Sequence, residues 1–166
     1  ALDLTDSGTG TITDDKTTDP TKPPVNADKP TLTVDNAAPV AEGQSASFAV
    51  SLSNAVDGNL TYKFDLDVSG SAEMADFVKP GDIVMLNVSY KVDGQVVNTT
   101  VENGKTLNIP GNATEMTVSV ATLNDKVFEG QEQFELDVQV TGQVGDKQEA
   151  LDLTDSGTGT ITDDKT

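Results

Sequence analysis

The segment GTGTITDD, at residues 157–164, occurs twice in this chain. It closes a longer stretch, ALDLTDSGTGTITDDKT at residues 150–166, which is identical to residues 1–17. Threonine alternates with glycine or isoleucine along residues 157–162, so the segment predicts a β-strand that ends in an acidic pair. An exact repeat of this length is typical of a tandem array. The chain is therefore predicted to contain the last strand of one repeat, a linker and one whole repeat.

The repeat divides the chain into three predicted parts. Residues 1–15 copy the terminal strand of a preceding repeat, residues 16–30 form a proline-rich linker, and residues 31–166 form the folded repeat. Proline-rich spacers favour an extended, stiff conformation. The alternative, a linker lying along the domain surface, stays open. Residues 1–15 cannot bury apolar surface alone, so we expect them to be mobile or to pair with a neighbouring molecule by strand exchange.

Hydrophobic residues alternate with polar ones throughout the predicted repeat. The clearest alternations lie at residues 46–52, 60–68, 83–101, 116–123, 134–140 and 151–162, and an Asp93-Gly94 hairpin turn divides the third. Turn residues recur about every ten positions, and a helical period is absent except for one possible turn near residues 72–77. These features predict an all-β sandwich.

The composition restricts the possible functions. The net charge is −18, from 28 acidic and 10 basic residues, which disfavours nucleic acid and anionic membranes as partners. The chain has no His and no Cys, and no segment long and apolar enough for direct membrane insertion. Paired carboxylates are then the remaining route to catalysis, and nothing marks such a pair, so we expect no enzyme activity. The acidity fits a solvated surface, cation binding, or both.

Three motifs carry a resemblance to a known family. EGQSASFAVSLS begins at Glu42, PGNAT at residues 110–114 leads to VSVATLND and VFEGQEQFELDV, and GTGTITDD comes last. In this order they resemble Calx-beta domains over residues 31–164, with residues 79–100 as an inserted hairpin. The resemblance implies an immunoglobulin-like (Calx-beta-like) Greek-key β-sandwich with an extra hairpin. Related modules form tandem arrays in RTX-type adhesins on the bacterial cell surface, so an extracellular location is expected.

The resemblance also implies calcium ligands in the loops at one end of the sandwich: Glu42, Asp76, Asn124, Asp125, Glu129, Asp163 and Asp164. Asn124 stands where the family usually has Asp, and Lys165 where a third Asp is common, which implies fewer or weaker sites. Calcium takes about 6 to 8 oxygen ligands, and loops at one end of a sandwich bring distant acids together. Ordinary solvated acids in turns remain the alternative. For Glu132, a solvated position or a structural hydrogen bond is favoured over ligation.

The predicted function is a calcium-stabilised extender repeat of a large adhesin, in which neighbouring repeats of the same chain are the partners and biofilm attachment is the setting. Two alternatives stay open. One is an adhesive module that binds a glycan or a protein, although the chain has no Trp and both Tyr residues lie in predicted strands. The other is a calcium sensor of the Calx-beta type.

Overall fold

The computed structural model describes residues 2–11, 29–124, 129–144 and 149–163. The regular structure in this part is almost entirely β. The strands are β1 (Leu32–Val34), β2 (Val40–Ala41), β3 (Ser45–Leu52), β4 (Asn59–Asp67), β5 (Met85–Val92), β6 (Gln95–Glu102), β7 (Thr106–Pro110), β8 (Glu115–Ala121), β9 (Glu132–Val144) and β10 (Glu149–Thr162). One 3₁₀ turn, η1 (Met74–Asp76), lies where the sequence allows a helical turn. No helix in the described ranges is long and apolar enough to cross a membrane.

The strands form two five-stranded sheets. One has the order β1-β3-β8-β5-β6 and the other β2-β10-β9-β4-β7. All pairings are antiparallel except that of β2 with the end of β10. The predicted all-β, immunoglobulin-like sandwich is confirmed, and so is the extra hairpin, β5–β6. Its turn residues Asp93 and Gly94 both have positive φ, 50° and 81°, as a two-residue hairpin turn requires.

The core follows the alternation seen in the sequence. In β4 the residues Leu60, Tyr62, Phe64 and Leu66 are all buried between the sheets, while the residues between them are exposed or half-buried. The ring of Phe134 packs edge-on against Phe48 and Phe77, at centroid distances of 5.8 and 4.9 Å. Because Phe77 follows η1 directly, this contact fixes η1 against the end of the sandwich.

β5 begins two residues later than the hydrophobic pattern predicts, at Met85 rather than Ile83. The side chain of Ile83 is 59% exposed, whereas that of Val84 is buried. Ile83 therefore contributes little to the core alternation, and the backbone carbonyl of Val84 accepts a hydrogen bond from Asn103 outside the strand ladder.

The glycines of GTGTITDD fit β10 against its neighbours. A Cβ atom on Gly159 would lie 2.3 Å from the Phe134 ring, and one on Gly157 would lie 2.6 Å from the carbonyl oxygen of Asp35. Both distances are too short for any side chain, so the strand needs glycine at these two positions. The predicted closing strand is confirmed, and it runs without interruption over Glu149–Thr162.

The N-terminal copy of the same sequence has a different environment. Residues 2–11 belong to no strand, and Leu2 and Leu4 are 84% and 81% exposed, whereas Leu151 is 2% exposed. Most of the predicted linker, at residues 16–28, lies outside the described residues. Pro30, just before β1, is buried.

Candidate metal centre

The turn η1 is held against the loops beside it by hydrogen bonds to the backbone. The Glu73 N–H donates to Oδ2 of Asp76 over 2.6 Å, which closes the 3₁₀ turn around the carboxylate. The Leu123 N–H donates to the carbonyl oxygen of Asp76 over 2.7 Å, and the Ala72 N–H donates to that of Gln133 over 3.0 Å. The Asp76 carboxylate is thus fixed between the end of β8 and the start of β9.

Three carboxylates meet at this point. One oxygen from each of Asp76, Glu129 and Glu132 lies within 4.8 Å of the others. Asp76 and Glu132 are half-buried and Glu129 is exposed. Carboxylate oxygens at this spacing are the ligands that a hard cation takes in proteins.

The pKa of Glu132 is raised by its partial burial and by the negative charges around it. Partial burial, followed by the charge of Asp76, a hydrogen bond to Asp76, and the charges of Glu129 and Glu73, raises the Glu132 pKa from 4.5 to about 7. Each of these effects disfavours the ionised carboxylate. A bound proton or a cation would relieve the repulsion.

The end of β10 adjoins this cluster. Oδ2 of Asp163 accepts a hydrogen bond from the Glu129 N–H over 3.0 Å. Two residues that are distant in sequence are therefore joined directly after the end of β10.

The turn between β2 and β3 lies beside the same end of β10. The Glu42 N–H donates to the carbonyl oxygen of Thr162 over 3.0 Å, and the Glu42 side chain is only 9% exposed. The Gly43 N–H donates to Oγ1 of Thr122, and a Cβ on Gly43 would contact that of Asn124 at 3.5 Å.

The predicted ligands are therefore brought together in part. Asp76 and Glu129 share a cluster, Asp163 is hydrogen-bonded to Glu129, and Glu42 and Asn124 come from adjoining turns. In the described part of the chain, the carboxylate of Glu42 does not belong to the cluster of Asp76, Glu129 and Glu132. Asp125 and Asp164 lie outside the described residues.

Glu132 is the cluster member that the sequence analysis did not select as a ligand. The favoured structural hydrogen bond is present, to Asp76, but the carboxyl also lies within 4.8 Å of both acidic neighbours. A signal was available in the sequence. Glu132 stands two residues before buried Phe134 on β9, so it points to the core side of the sheet at the strand end.

A second group of acids, Asp67, Glu135 and Asp137, lies on the outer face of the β4–β9 pair. Burial, then the charges of Asp67, Glu135 and Asp65, raises the Asp137 pKa. The hydroxyl and N–H of Ser69 lower the Asp67 pKa, so this carboxylate already has hydrogen-bond donors. Cross-strand acids of this kind are common on solvated sheet faces, and we assign them no ligand.

Comparison with known proteins gives similarities of fold. No protein family matches the sequence, and no characterised protein matches it. The solved structures that match include the apo Calx CBD1 domain, at 13% identity over 82% of this chain and 99% of that one, with a TM-score of 0.48. The enterotoxigenic E. coli adhesin CfaE matches at 16% identity over 83% of this chain and 49% of its own length, with a TM-score of 0.47. The CooA pilin subunit of enterotoxigenic Escherichia coli matches at 11% identity over 81% and 99%, with a TM-score of 0.41.

Proposed function

We propose that this chain is a calcium-stabilised structural extender repeat of a large bacterial cell-surface adhesin. The observation that carries the proposal is the cluster of Asp76, Glu129 and Glu132, joined through Asp163 to the end of β10. This part of the sandwich leads out of the repeat, so a cation here acts on the exit of the chain.

Calcium suits the donors of this cluster. They are carboxylate oxygens, and the chain has no His or Cys, the side chains that transition metals prefer. The raised pKa of Glu132 supports the same conclusion, because partial burial and the neighbouring charges of Asp76, Glu129 and Glu73 all disfavour its ionised form, and a bound cation would offset them. Asp76, Glu129 and Glu132 would hold the ion, with Asp163 beside them and Glu42 and Asn124 in the adjoining turns.

A bound cation would connect three separate elements. Asp76 belongs to η1. Glu129 lies just before β9, Glu132 is the first residue of β9, and Asp163 directly follows β10. Holding these elements together would stiffen the end of the domain. Extracellular calcium modules bind with dissociation constants of about 10⁻⁴ to 10⁻³ M, a range that keeps such a site filled outside cells.

The extender role is supported by the exact repeat of residues 1–17 at residues 150–166 and by the strong negative charge. Repeats in one chain add length, and like charge on successive repeats keeps them apart. A direct test joins two copies of residues 31–166 through residues 18–30, because residues 165–166 already repeat residues 16–17, and measures small-angle scattering with calcium and with chelator. The proposal expects a longer and narrower particle in calcium. Equal scattering profiles in the two conditions would contradict the stiffening role.

A second candidate function is a ligand-binding adhesive module. The observation that favours it is a shallow groove of about 440 Å³ across β4, β9 and β10, lined by polar side chains that include Lys63, Asp65 and Gln139. A glycan array tests this candidate, and a reproducible hit that is lost in Asp65→Ala would favour it over a spacer role.

A further inference from the structure

The position of β10 in the sandwich accepts only a restricted sequence. Gly159 lies beneath the Phe134 ring, Gly157 lies against the Asp35 carbonyl, and Leu151 is buried. A strand that fills this position needs glycine at two alternate residues and leucine six residues before the first glycine.

The N-terminal copy meets these requirements. Leu2, Gly8 and Gly10 stand in its sequence where Leu151, Gly157 and Gly159 stand in β10. In the structure Leu2 is 84% exposed, and a Cβ on Gly8 or Gly10 would meet nothing within 4 Å. One chain therefore carries two segments of identical sequence for a single strand position.

The N-terminal copy can reach this position within the same molecule. The chain from β1 to β2 runs alongside β10 in the same direction. The Val34 N–H donates to Oδ2 of Asp155, and Val40 pairs in parallel with Ile161. A copy placed at β10 must return from the far end of that strand to the start of β1. That return is roughly 25 to 30 Å at about 3.3 Å per strand residue, whereas residues 12–31 reach roughly 60 Å when extended.

We propose that residues 2–11 are an alternative occupant of the β10 position in the same molecule. The packing contacts are identical for the two occupants, so chain connection decides between them. β10 follows β9 after residues 145–148, whereas the N-terminal copy is joined to β1 through residues 12–31. The probability of closing a flexible loop falls roughly as the 3/2 power of its length, so the connection of four residues favours β10 by about tenfold over that of twenty. Roughly one molecule in ten then holds the N-terminal copy in the sandwich and releases the C-terminal one.

Disulfide trapping in the full chain tests this exchange. Thr158 pairs with Glu135 across the β9–β10 ladder, and Thr9 is the residue of the N-terminal copy that matches Thr158. The chain has no natural Cys, so Thr9→Cys/Glu135→Cys carries a single possible bond. We expect this variant to form an intramolecular disulfide about tenfold more slowly than Thr158→Cys/Glu135→Cys.

Two glycine substitutions give matched controls. Adding Gly10→Val should abolish the bond, because the N-terminal copy no longer fits under Phe134. Adding Gly159→Val should raise the rate to nearly that of the direct pair, because β10 is excluded and its competitor is not. In folding experiments, Gly159→Val should be tolerated far better than Gly10→Val/Gly159→Val, while Gly10→Val alone changes nothing.

Three results would overturn the proposal. The first is the absence of the Thr9→Cys/Glu135→Cys bond under conditions in which Thr158→Cys/Glu135→Cys closes. The second is a bond that Gly10→Val leaves unchanged, which would indicate random collision of an exposed tail. The third is a cross-linked dimer without the intramolecular product. None of these measurements depends on calcium, so they are independent of the proposed function.

Discussion

Replacing Glu132 by Gln is expected to stabilise the domain without calcium and to reduce the stabilisation that calcium adds. Without a cation, the carboxylate stands among Asp76, Glu129 and Glu73, and this environment raises its pKa to about 7. At pH 8 the substitution removes that repulsion. Glu132 is half-exposed, so solvent screening reduces the gain in the free energy of unfolding to about 1 kcal/mol. For a domain of this size the melting temperature should rise by about 3 to 5 °C.

In calcium the same substitution removes one carboxylate ligand, so the calcium-induced rise in melting temperature should shrink by at least half. Calorimetry at pH 8, in chelator and in 10 mM calcium, measures both effects on one protein. Glu115→Gln is the matched control, since Glu115 is an exposed acid on β8 outside the two described acidic groups. If the calcium-induced rise in melting temperature is as large in Glu132→Gln as in the unchanged protein, the cluster is not the calcium site.

Three further predictions concern single side chains. The buried hydroxyl of Tyr62 has no hydrogen-bond partner in the described structure, and burial raises the Tyr62 pKa to about 12. Tyr62→Phe removes this unsatisfied group, so it should increase the free energy of unfolding by about 1 kcal/mol in a urea titration. A Cβ on Gly111 would lie 2.4 Å from the Val56 carbonyl oxygen, so Gly111→Ala should lower that free energy by about 1 to 3 kcal/mol, whereas Gly8→Ala should leave it unchanged. The folded state holds the Glu132 proton more tightly than the unfolded state does. Without calcium, this residue's contribution to the free energy of unfolding should therefore fall as pH rises from 4.5 to about 7, and calcium affinity should rise over the same interval. Glu132→Gln should flatten both pH profiles.

Most of the fold could be predicted from the sequence, because its strands alternate strictly. The buried residues of β4 and the two-residue turn at Asp93-Gly94 follow directly from pattern and turn chemistry. The weaker predictions lie where packing decides. β2 has two residues and no alternation of its own, and Ile83 is apolar but exposed beside buried Val84.

The cluster was harder to predict than the fold, because it depends on how η1 and β9 meet. Asp76 and Glu129 were predicted ligands from the resemblance, and their proximity depends on hydrogen bonds from Leu123 and Glu129 that no local pattern encodes. An acid in a turn-rich segment is usually solvated, so the sequence favours a solvated or hydrogen-bonded Glu132 over a ligand. Its register with Phe134 on β9 was the overlooked signal.

The two copies of ALDLTDSGTGTITDDKT illustrate a limit of sequence reasoning. Identical residues give a buried strand in one place and an exposed segment in the other, as Leu151 and Leu2 demonstrate. Local propensity is the same for both, so the difference arises from chain connection: β10 begins at Glu149, five residues after β9 ends at Val144. Because the side chains are the same, the two segments compete for the β10 position in the exchange proposed above.

A calcium titration of the melting temperature measures whether calcium stabilises the folded domain. At 100-fold excess over the dissociation constant, one site adds about 2.7 kcal/mol to the free energy of unfolding. We expect a melting temperature that rises by several degrees across the millimolar range, returns to its starting value in chelator, and changes far less in equal magnesium. A melting temperature that is the same in chelator and in 10 mM calcium would contradict this expectation.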